Sequence, residues 1–361
     1  MDFSIATYNL CLFVAPPISF NGAYARSVRL ADAFYSAVKD VDVIILQELV
    51  VHREAVLKTF LHHVHHTKVV NSNILSNNIR FVSSGLAIVS RFPIVKERSY
   101  IFNGPTYHLE ALCSKGVIYA KIQTPAGYIH VFNTHTNAWT TPKAFAARES
   151  QCQQIGIFIK SMEIPKEEHV FFGGDINMCI YEHGLAAENL CTMLGGCKFY
   201  KPDEVSFSTD PLTNTLVGTD DAKEYATRSR LNGCYEEFLE IGQCLCCPRQ
   251  LLDLIGTMAC YSKPTDISFE VVPVKTRAPF AVHLNILNVK NISDVSDHYP
   301  SVLRCKIFDT SSTMKAETEI KWLAPNKVST GWTITLVIFS LAYFIILVTI
   351  SYAIYKIYHR K

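Results

Sequence analysis

Ser296-Asp297-His298-Tyr299-Pro300 is the stretch around which the rest of the chain is arranged. The acid and histidine pair follows a loop-like run and stands directly before the apolar run 301–308, which predicts a core strand. A histidine held at a strand end and oriented by a neighbouring carboxylate has what a general base needs. An Asp-His pair is common by chance, so its significance depends on polar clusters elsewhere in the chain.

Four other clusters each stand at the end of a run that reads as a buried strand. In chain order, the runs and their polar residues are 3–13 with Asn9, 41–46 with Gln47 and Glu48, 128–134 with Asn133, His135 and Asn137, and 169–174 with Asp175 and Asn177. A carboxylate at the end of an apolar strand is costly to keep ionised unless a cation or hydrogen-bond donors meet it. A hard divalent cation such as Mg²⁺, which prefers oxygen ligands, would meet that need.

A further carboxylate, Asp253, lies inside the apolar run 251–255. A buried aspartate needs a donating or cationic partner, and His298 is the candidate. Taken alone, Asn9 is typical of a turn residue at a strand end, but a metal-bound carboxylate or a phosphate oxygen as its partner would make it functional. The sequence therefore predicts one site that gathers these residues around His298.

Strand-like and helix-like runs alternate along the chain. Helical spacing of apolar residues appears at 25–38 and 144–162, a strand is expected at 84–94, and the runs 115–122 and 128–134 pair across the turn 124–127. This alternation predicts a layered α/β domain with ligands at the strand ends.

The composition limits the partners. The chain has 361 residues, of which 49% are hydrophobic and 18% charged, with a formal net charge of +2. This near-neutral balance shows no basic stripe, so no nucleic-acid partner is expected.

The run 331–355 contains no charged residue and is long enough to span a bilayer, which takes about 20 apolar residues. Tyrosines and a basic tail follow it, as at membrane interfaces. Residues 1–20 lack the features of an export signal, which predicts a C-terminal single-pass anchor with the bulk of the chain in the cytosol. The basic residues after the span favour the opposite orientation, so the side of the membrane that the domain occupies stays open.

Three features of the sequence allow more than one interpretation. The histidines of the run 52–66 read as a solvated surface helix rather than a soft-metal site. Cys244, Cys246 and Cys247 are consistent with a zinc ligand set, a disulfide, palmitoylation or thiols packed in a loop. The run 267–289 reads either as an apolar hairpin that enters a membrane or as two core strands; its apolar side chains are Phe269, Val271, Val272, Phe280, Val282 and Leu284.

Taken together, the motifs resemble the endonuclease/exonuclease/phosphatase superfamily and, within it, the neutral sphingomyelinases, particularly the bacterial sphingomyelinase C group. The resemblance covers about residues 3–308. The motifs that carry it, in order, are Asn9, Gln47-Glu48, Ser84-Gly85-Leu86-Ala87-Ile88-Val89-Ser90, Asn133-Thr134-His135, Gly174-Asp175-Ile176-Asn177, Leu252-Asp253 and Ser296-Asp297-His298. Supporting matches are Leu112-Cys113-Ser114-Lys115-Gly116, the run 164–177 and the turn Asp210-Pro211-Leu212-Thr213-Asn214-Thr215.

The resemblance implies a four-layered α/β sandwich for a catalytic domain at 1–308. The composition of the rest of the chain predicts a polar tether at 309–330, a transmembrane helix at 331–355 and a basic tail at 356–361. It implies hydrolysis of sphingomyelin or a related bilayer phospholipid to ceramide and phosphocholine with Mg²⁺, or with Mn²⁺ or Co²⁺ in its place.

The resemblance also implies roles for individual residues. Glu48 is the expected principal metal ligand, with Asn9 beside it. His298 is the expected general base, oriented by Asp253, and Asp297 is expected to hold a metal or water. The residues expected at the phosphate are His135, Asp175 and Asn177. Lys115 is retained, but Glu110 stands where sphingomyelinases carry an aspartate before the Lys-Gly pair, so the contact with Lys115 is uncertain in this chain.

Two other functions remain possible on the sequence alone. The same fold supports nucleases and inositol-phosphate phosphatases, and the Glu110 substitution is compatible with a catalytically impaired membrane-bound binding protein.

Overall fold

The computed structural model describes residues 1–13, 22–68, 82–104, 106–107, 110, 113–139, 141–181, 184–217, 249–283 and 289–309. The chain divides into two units, Met1–Met314 and Lys315–Lys361, and all of the described residues belong to the first. The predicted membrane span 331–355, with the tether from residue 310 onward and the tail, therefore lies outside the described residues, as do the three clustered cysteines. Within the described ranges, no helix is long and apolar enough to cross a bilayer.

The described residues contain sixteen strands. They are β1 (Asp2–Leu12), β2 (Val43–Leu49), β3 (His65–His66), β4 (Val82–Ser83), β5 (Ala87–Ser90), β6 (Ile94–Ile101), β7 (Cys113–Ser114), β8 (Gly116–Thr124), β9 (Gly127–His135), β10 (His169–Asp175), β11 (Cys197–Phe199), β12 (Asp253–Met258), β13 (Thr265–Val271), β14 (Lys275–His283), β15 (Val289–Asp294) and β16 (Ser301–Lys306).

Twelve of these strands form two six-stranded sheets. The first sheet has the order β13-β16-β1-β2-β5-β3, and the second has the order β11-β12-β10-β9-β8-β6. Two short sheets, β14-β15 and β4-β7, complete the described strands. In each large sheet the central pair is parallel, β1 with β2 and β9 with β10, so polar residues at the ends of these strands share one edge.

The two large sheets pack face to face. Phe3 on β1 lies against Phe171 on β10 with ring centroids 5.0 Å apart, and both rings belong to the core between the sheets. Strands buried on both faces read as continuous apolar runs, which is why 41–46 shows no alternation.

Helices cover the outer faces. The segment before β2 contains α1 (Ala23–Ser27), a π-helical turn (Ala31–Tyr35) and α2 (Ser36–Val38), and it packs on the outer face of the first sheet. The helix α3 (Arg53–Leu57) follows β2, and α4 (Pro142–Lys160) and α5 (Gly184–Met193) pack with the second sheet. Helix, sheet, sheet and helix give the predicted α/β sandwich.

Local sequence explains the start of the longest helix. The Thr141 side chain accepts a hydrogen bond from the backbone N–H of Ala144 at 3.3 Å, and Pro142 occupies the first turn. Both residues are favoured at these positions of a helix start. The predicted helix 144–162 is therefore present, displaced by two residues.

Two expectations about local structure were wrong. The run 84–94 is not one strand, because β5 ends at Ser90 and a separate edge strand, β6, begins at Ile94. The run 52–66 is helical only in α3, and β3 follows it at the edge of the first sheet. Of the two interpretations of 267–289, the structure agrees with two separate strands, because β13 joins the first sheet and β14 pairs with β15.

The apolar side chains of 267–289 are mainly internal. Phe269, Phe280 and Val282 are buried in the two cores, and Leu284 lies outside the described residues. Phe269, Phe280 and Val282 are therefore core residues and do not form a membrane-facing surface.

Candidate active site

The polar strand ends meet at one edge of the sandwich. Asp175 at the end of β10 lies opposite His135 on β9 and opposite Asp253 on β12. Asn9 lies opposite Gln47 in the pairing of β1 with β2, directly beside Glu48. The register of the two sheets therefore brings together residues that are far apart in the chain.

Backbone conformation places the two central carboxylates. Gly174 has φ +134°, and a Cβ there would lie 2.0 Å from the carbonyl oxygen of Thr134, so only glycine lets β9 and β10 approach at this point. Glu48 has φ 54°, in the left-handed region that non-glycine residues rarely adopt. Such conformations persist where the surrounding structure enforces them, often at functional sites.

His298 is held by Asp253. Its Nδ1 lies 2.5 Å from Oδ2 of Asp253, and both side chains are buried. With the Nδ1–H donating to the carboxylate, Nε2 is left as the basic nitrogen, and it lies 3.9 Å from Oδ2 of Asp175. The predicted orientation of His298 by Asp253 is the geometry found.

Asp175 is the centre of the site. Its Oδ2 accepts a hydrogen bond from Nδ2 of Asn9 at 2.9 Å, and its Oδ1 accepts one from the backbone N–H of Asn177 at 2.9 Å. Nε2 of His135 lies 3.6 Å from the same Oδ2, and Nδ1 of His135 lies 3.9 Å from Oε1 of Glu48. The imidazole of His135 therefore lies between the two carboxylates without a hydrogen bond to either.

Glu48 keeps access to solvent. Its side chain is 27% exposed, and its Oε1 accepts a hydrogen bond from Nδ2 of Asn9 at 3.2 Å. The amide oxygen of Asn9, which the resemblance implies as a second metal ligand, accepts a hydrogen bond from the backbone N–H of Cys11 at 2.9 Å. In this arrangement Asn9 orients Glu48 and Asp175 through its amide nitrogen.

Asp297 lies next to the base. The hydroxyl of Ser296 donates to Oδ1 of Asp297 at 3.2 Å and to the carbonyl oxygen of Asn9 at 2.7 Å. The backbone N–H of His298 in turn donates to the Ser296 hydroxyl at 3.2 Å. Ser296 thus ties the loop before β16 to the end of β1, a role that the sequence motif did not reveal.

Lys115 retains its carboxylate partner despite the change to glutamate. Its Nζ lies 2.8 Å from Oε1 of Glu110 and donates to the carbonyl oxygen of Thr136 at 2.6 Å. Oε2 of Glu110 accepts from the backbone N–H of Ala138 at 2.8 Å. The Thr136 carbonyl also accepts from Nδ2 of Asn177 at 3.1 Å, so Lys115 is linked to Asn177 through one backbone oxygen.

Other residues of the motifs have structural positions. Gln47 donates to Oδ1 of Asn133 at 2.7 Å, which joins the two large sheets below the site. Oδ1 of Asn137 accepts from the backbone N–H of Tyr107 at 3.0 Å. The hydroxyl of Ser208, absent from the sequence prediction, accepts from the backbone N–H groups of Leu252 and Asp253 at 3.0 and 3.2 Å and steadies the orienting carboxylate.

The electrostatics of the site show an excess of negative charge. Burial raises the pKa of Glu48, and the charge of Asp297 adds to this effect. Burial likewise raises the pKa of Asp175, with a further contribution from Asp253. Burial lowers the pKa of His298, but Asp253 and Asp297 outweigh it and bring that pKa well above its usual range. Burial and the charge of Lys115 keep the pKa of His135 well below its usual range, so that ring is neutral.

These carboxylates fit a hard divalent cation. Glu48 offers a partly exposed oxygen ligand beside Asp175 and Asp297. Burial and the neighbouring carboxylates raise the pKa of Glu48 and of Asp175, so a bound cation would offset the negative charge that these groups carry when ionised. Among the described residues no three histidine, cysteine or acidic side chains form a ready metal cage. Mg²⁺ commonly binds through one or two carboxylates and keeps several waters, which suits such an open donor set.

A family model described as the endonuclease/exonuclease/phosphatase family matches residues 6–188. The chain belongs to this family. Its two-sheet architecture and the location of the site agree with that membership.

Two relatives and two solved structures refine the comparison. The chain is 39% identical over 103 residues to a sphingomyelinase C of Bacillus cereus and 31% identical over 195 residues to a sphingomyelinase C of Listeria ivanovii. These matches cover 26% and 49% of the chain, but only 29% and 56% of the respective relatives.

The solved structures show the same fold over more of the chain. The structure of SmcL has a TM-score of 0.66 at 25% identity and covers 84% of this chain and 99% of SmcL. A mutant of beta toxin from Staphylococcus aureus, solved with bound magnesium ions, has a TM-score of 0.67 at 21% identity and covers 85% of this chain and 100% of the toxin.

Proposed function

We propose that the domain is a divalent-cation-dependent phosphodiesterase that hydrolyses sphingomyelin to ceramide and phosphocholine. The observation that carries the proposal is the convergence of the His298–Asp253 pair with Glu48 and Asp175 at one strand edge. The relatives named sphingomyelinase C support the choice of substrate, and the magnesium ions in the beta toxin structure support the choice of cation.

In the proposed reaction, Nε2 of His298 takes a proton from a water molecule as its oxygen attacks phosphorus. The bond between phosphorus and the ceramide oxygen breaks, and that oxygen takes a proton from solvent. Asp253 holds His298 in the tautomer with a basic Nε2 and stabilises the imidazolium that forms. A general base placed in this way typically contributes about 10²- to 10⁴-fold to the rate.

The remaining residues bind and orient the phosphate. His135 is neutral and lies between the carboxylates, so its ring is available to a phosphate oxygen. Asn177 offers its side-chain amide at the start of the turn after β10, and Lys115 positions that turn through the Thr136 carbonyl. Glu48 would hold Mg²⁺, with Asp297 beside it, and the cation would neutralise charge on the non-bridging phosphate oxygens.

We also propose that residues 331–355 anchor the protein in the membrane that holds its substrate. The apolar sequence of that run supports the anchor, and tethering raises the local concentration of the domain at a lipid surface. Extraction of the full chain from membranes by detergent, but not by alkaline carbonate, tests the anchor, and release by carbonate would contradict it.

The activity is tested by release of phosphocholine from sphingomyelin in mixed micelles, with and without Mg²⁺. Wild type should turn over only with a divalent cation, and His298→Ala and Glu48→Ala should each lose about 10²-fold or more. The exposed residues His66 and Glu54 provide the matched controls His66→Ala and Glu54→Ala, which should retain full activity. Folded wild type with no turnover under any divalent cation would overturn the proposal, and cleavage of plasmid DNA or an inositol phosphate would identify the alternative substrate.

A further inference from the structure

Arg26 is an arginine whose side chain is fully buried. It lies in α1 with no exposed surface, whereas Arg29, three residues later, is exposed and stacks on the ring of Phe280. Arginine is seldom fully buried, and where it is, its donors are satisfied by fixed acceptors. The position of its guanidinium therefore needs an explanation.

The guanidinium donates to backbone carbonyls from two different segments. Nη1 donates to the carbonyl oxygens of Leu10 at 3.0 Å and Val295 at 2.9 Å, and Nη2 donates to that of Cys11. A planar guanidinium presents several N–H groups in a rigid fork, so one side chain can join three acceptors in a fixed arrangement. We call Arg26 and these three carbonyls the Arg26 clamp.

Each end of the clamp adjoins a residue of the site. Leu10 follows Asn9, which orients Glu48 and Asp175, and Val295 precedes the stretch that carries Asp297 and His298. The Ser296 hydroxyl makes a second link between the same two segments through the Asn9 carbonyl. Arg26 thus joins two backbone segments: the end of β1, next to Asn9 and the carboxylates it orients, and the loop that carries His298.

We propose that Arg26 is a positioning residue, which sets the distance and orientation of His298 relative to Glu48 and Asp175. The inference rests on the proposed phosphodiesterase reaction, because it assigns Arg26 an effect on that chemistry. Catalytic groups lose effectiveness steeply when they are displaced, by about 10²-fold for about 1 Å. Arg26 touches no reacting atom in this account and acts only through the two backbone segments.

The test compares Arg26→Met and Arg26→Lys with the matched control Arg29→Met. For each protein one measures kcat for phosphocholine release at saturating Mg²⁺, Mg²⁺ affinity by calorimetry without substrate, and hydrogen exchange of the backbone amides. The amides of His298 and Tyr299, which donate to the Ser296 hydroxyl and to the Ser208 carbonyl, report on the loop. Amides of β9 report on the rest of the fold.

For Arg26→Met we expect kcat to fall by about 10²-fold and exchange to accelerate at 298–299 but not in β9. Mg²⁺ affinity should change by less than about threefold, because Glu48 itself lies on β2 and the clamp adjoins it only indirectly, through Asn9. Arg26→Lys keeps the positive charge but loses the planar guanidinium with its several N–H groups. Its kcat should fall by about tenfold, with faster hydrogen exchange at 298–299 as in Arg26→Met. Arg29→Met should match wild type.

Three results would overturn the inference. The first is wild-type kcat and exchange in folded Arg26→Met. The second is a loss of kcat in Arg26→Met that comes with equally faster hydrogen exchange of amides throughout the domain, including β9. If Arg26→Met does not fold, the third is an Arg26→Lys protein indistinguishable from Arg29→Met. Absence of turnover in wild type would instead refute the proposed function, and in that case local exchange at 298–299 still decides whether the clamp orders the loop.

Discussion

Nδ1 of His298 lies 2.5 Å from Oδ2 of Asp253, a carboxylate with no exposed surface. The other oxygen of Asp253, Oδ1, has no hydrogen-bond partner within the part of the chain that the structure describes. The carboxylate is therefore directed at the imidazole alone among the described residues, and the pair determines which ring nitrogen is basic.

Asp253→Asn should leave the fold intact and reduce kcat by about 10³- to 10⁴-fold, because an amide can donate to Nδ1 and stabilise the wrong tautomer. Asp253 also raises the pKa of His298 against the lowering effect of burial. Its removal should lower that pKa, and since the base must be neutral, the acidic limb of the kcat/KM profile should move to lower pH. Phosphocholine release across the pH range measures both effects, and an unmoved limb with normal kcat would show that Asp253 does not orient the base.

Mg²⁺ affinity should depend on pH through Glu48. Burial, with the charge of Asp297, raises the pKa of Glu48 to about 7, and the cation requires the ionised carboxylate. The ionised fraction falls as the pH drops through this value, so the dissociation constant for Mg²⁺ should rise about tenfold per pH unit below about pH 7.

Calorimetric titration of Mg²⁺ without substrate checks this dependence. The Glu48→Gln variant serves as the control, because it has no carboxylate at this position and should bind weakly with little change across the same range. Equal affinity at about pH 6 and about pH 8 in wild type would contradict the role of Glu48 as the principal ligand.

Much of the site follows from strand patterns alone. Glu48, His135 and Asp175 each stand directly after an apolar run, and the ends of such strands lie at a shared edge of the sheet. The link from Asp253 to His298 also follows, because a carboxylate inside an apolar run needs a donor. A layered α/β domain follows from the alternation of strands and helices, whereas the number of layers was implied only by the family resemblance.

The remaining features leave no clear pattern in the sequence. Arg26 reads as an ordinary polar residue of an amphipathic helix, and only the folded chain brings the Val295 carbonyl to it. The direction of the Asn9 amide depends on the backbone N–H of Cys11. The edge strand β6 was missed because its charged, half-exposed sequence resembles a loop. Membrane insertion of 331–355 stays a prediction.

The Glu110–Lys115 pair should be sensitive to both charge and length. Glu110 spans two contacts at once, to Nζ of Lys115 and to the backbone N–H of Ala138. Glu110→Gln leaves the Lys115 ammonium, which is 4% exposed, without its counter-charge and should lower the free energy of unfolding by about 2 to 3 kcal/mol. Urea unfolding measures this loss.

Glu110→Asp retains the charge but is one methylene shorter, so it should keep one of the two contacts. We expect a loss of stability of about 1 kcal/mol and a reduced kcat, since Lys115 supports Asn177 through the Thr136 carbonyl. If Glu110→Asp raises both the free energy of unfolding and kcat, then glutamate is less favourable than aspartate at this position, and the expectation is contradicted.

Gly174→Ala should damage the fold and the site together. Gly174 has φ +134°, and an added Cβ would lie 2.0 Å from the Thr134 carbonyl, so β9 and β10 would have to separate beside His135 and Asp175. The free energy of unfolding should fall by about 4 kcal/mol or more, as for other enforced core clashes. Gly104→Ala is the matched control: its φ is also positive, at +95°, but the nearest atom to an added Cβ is 4.0 Å away. It should cost only about 1 kcal/mol of backbone strain. Equal losses in the two variants, measured by urea unfolding, would mean that backbone conformation, and not the close approach of the two strands, is what requires glycine at position 174.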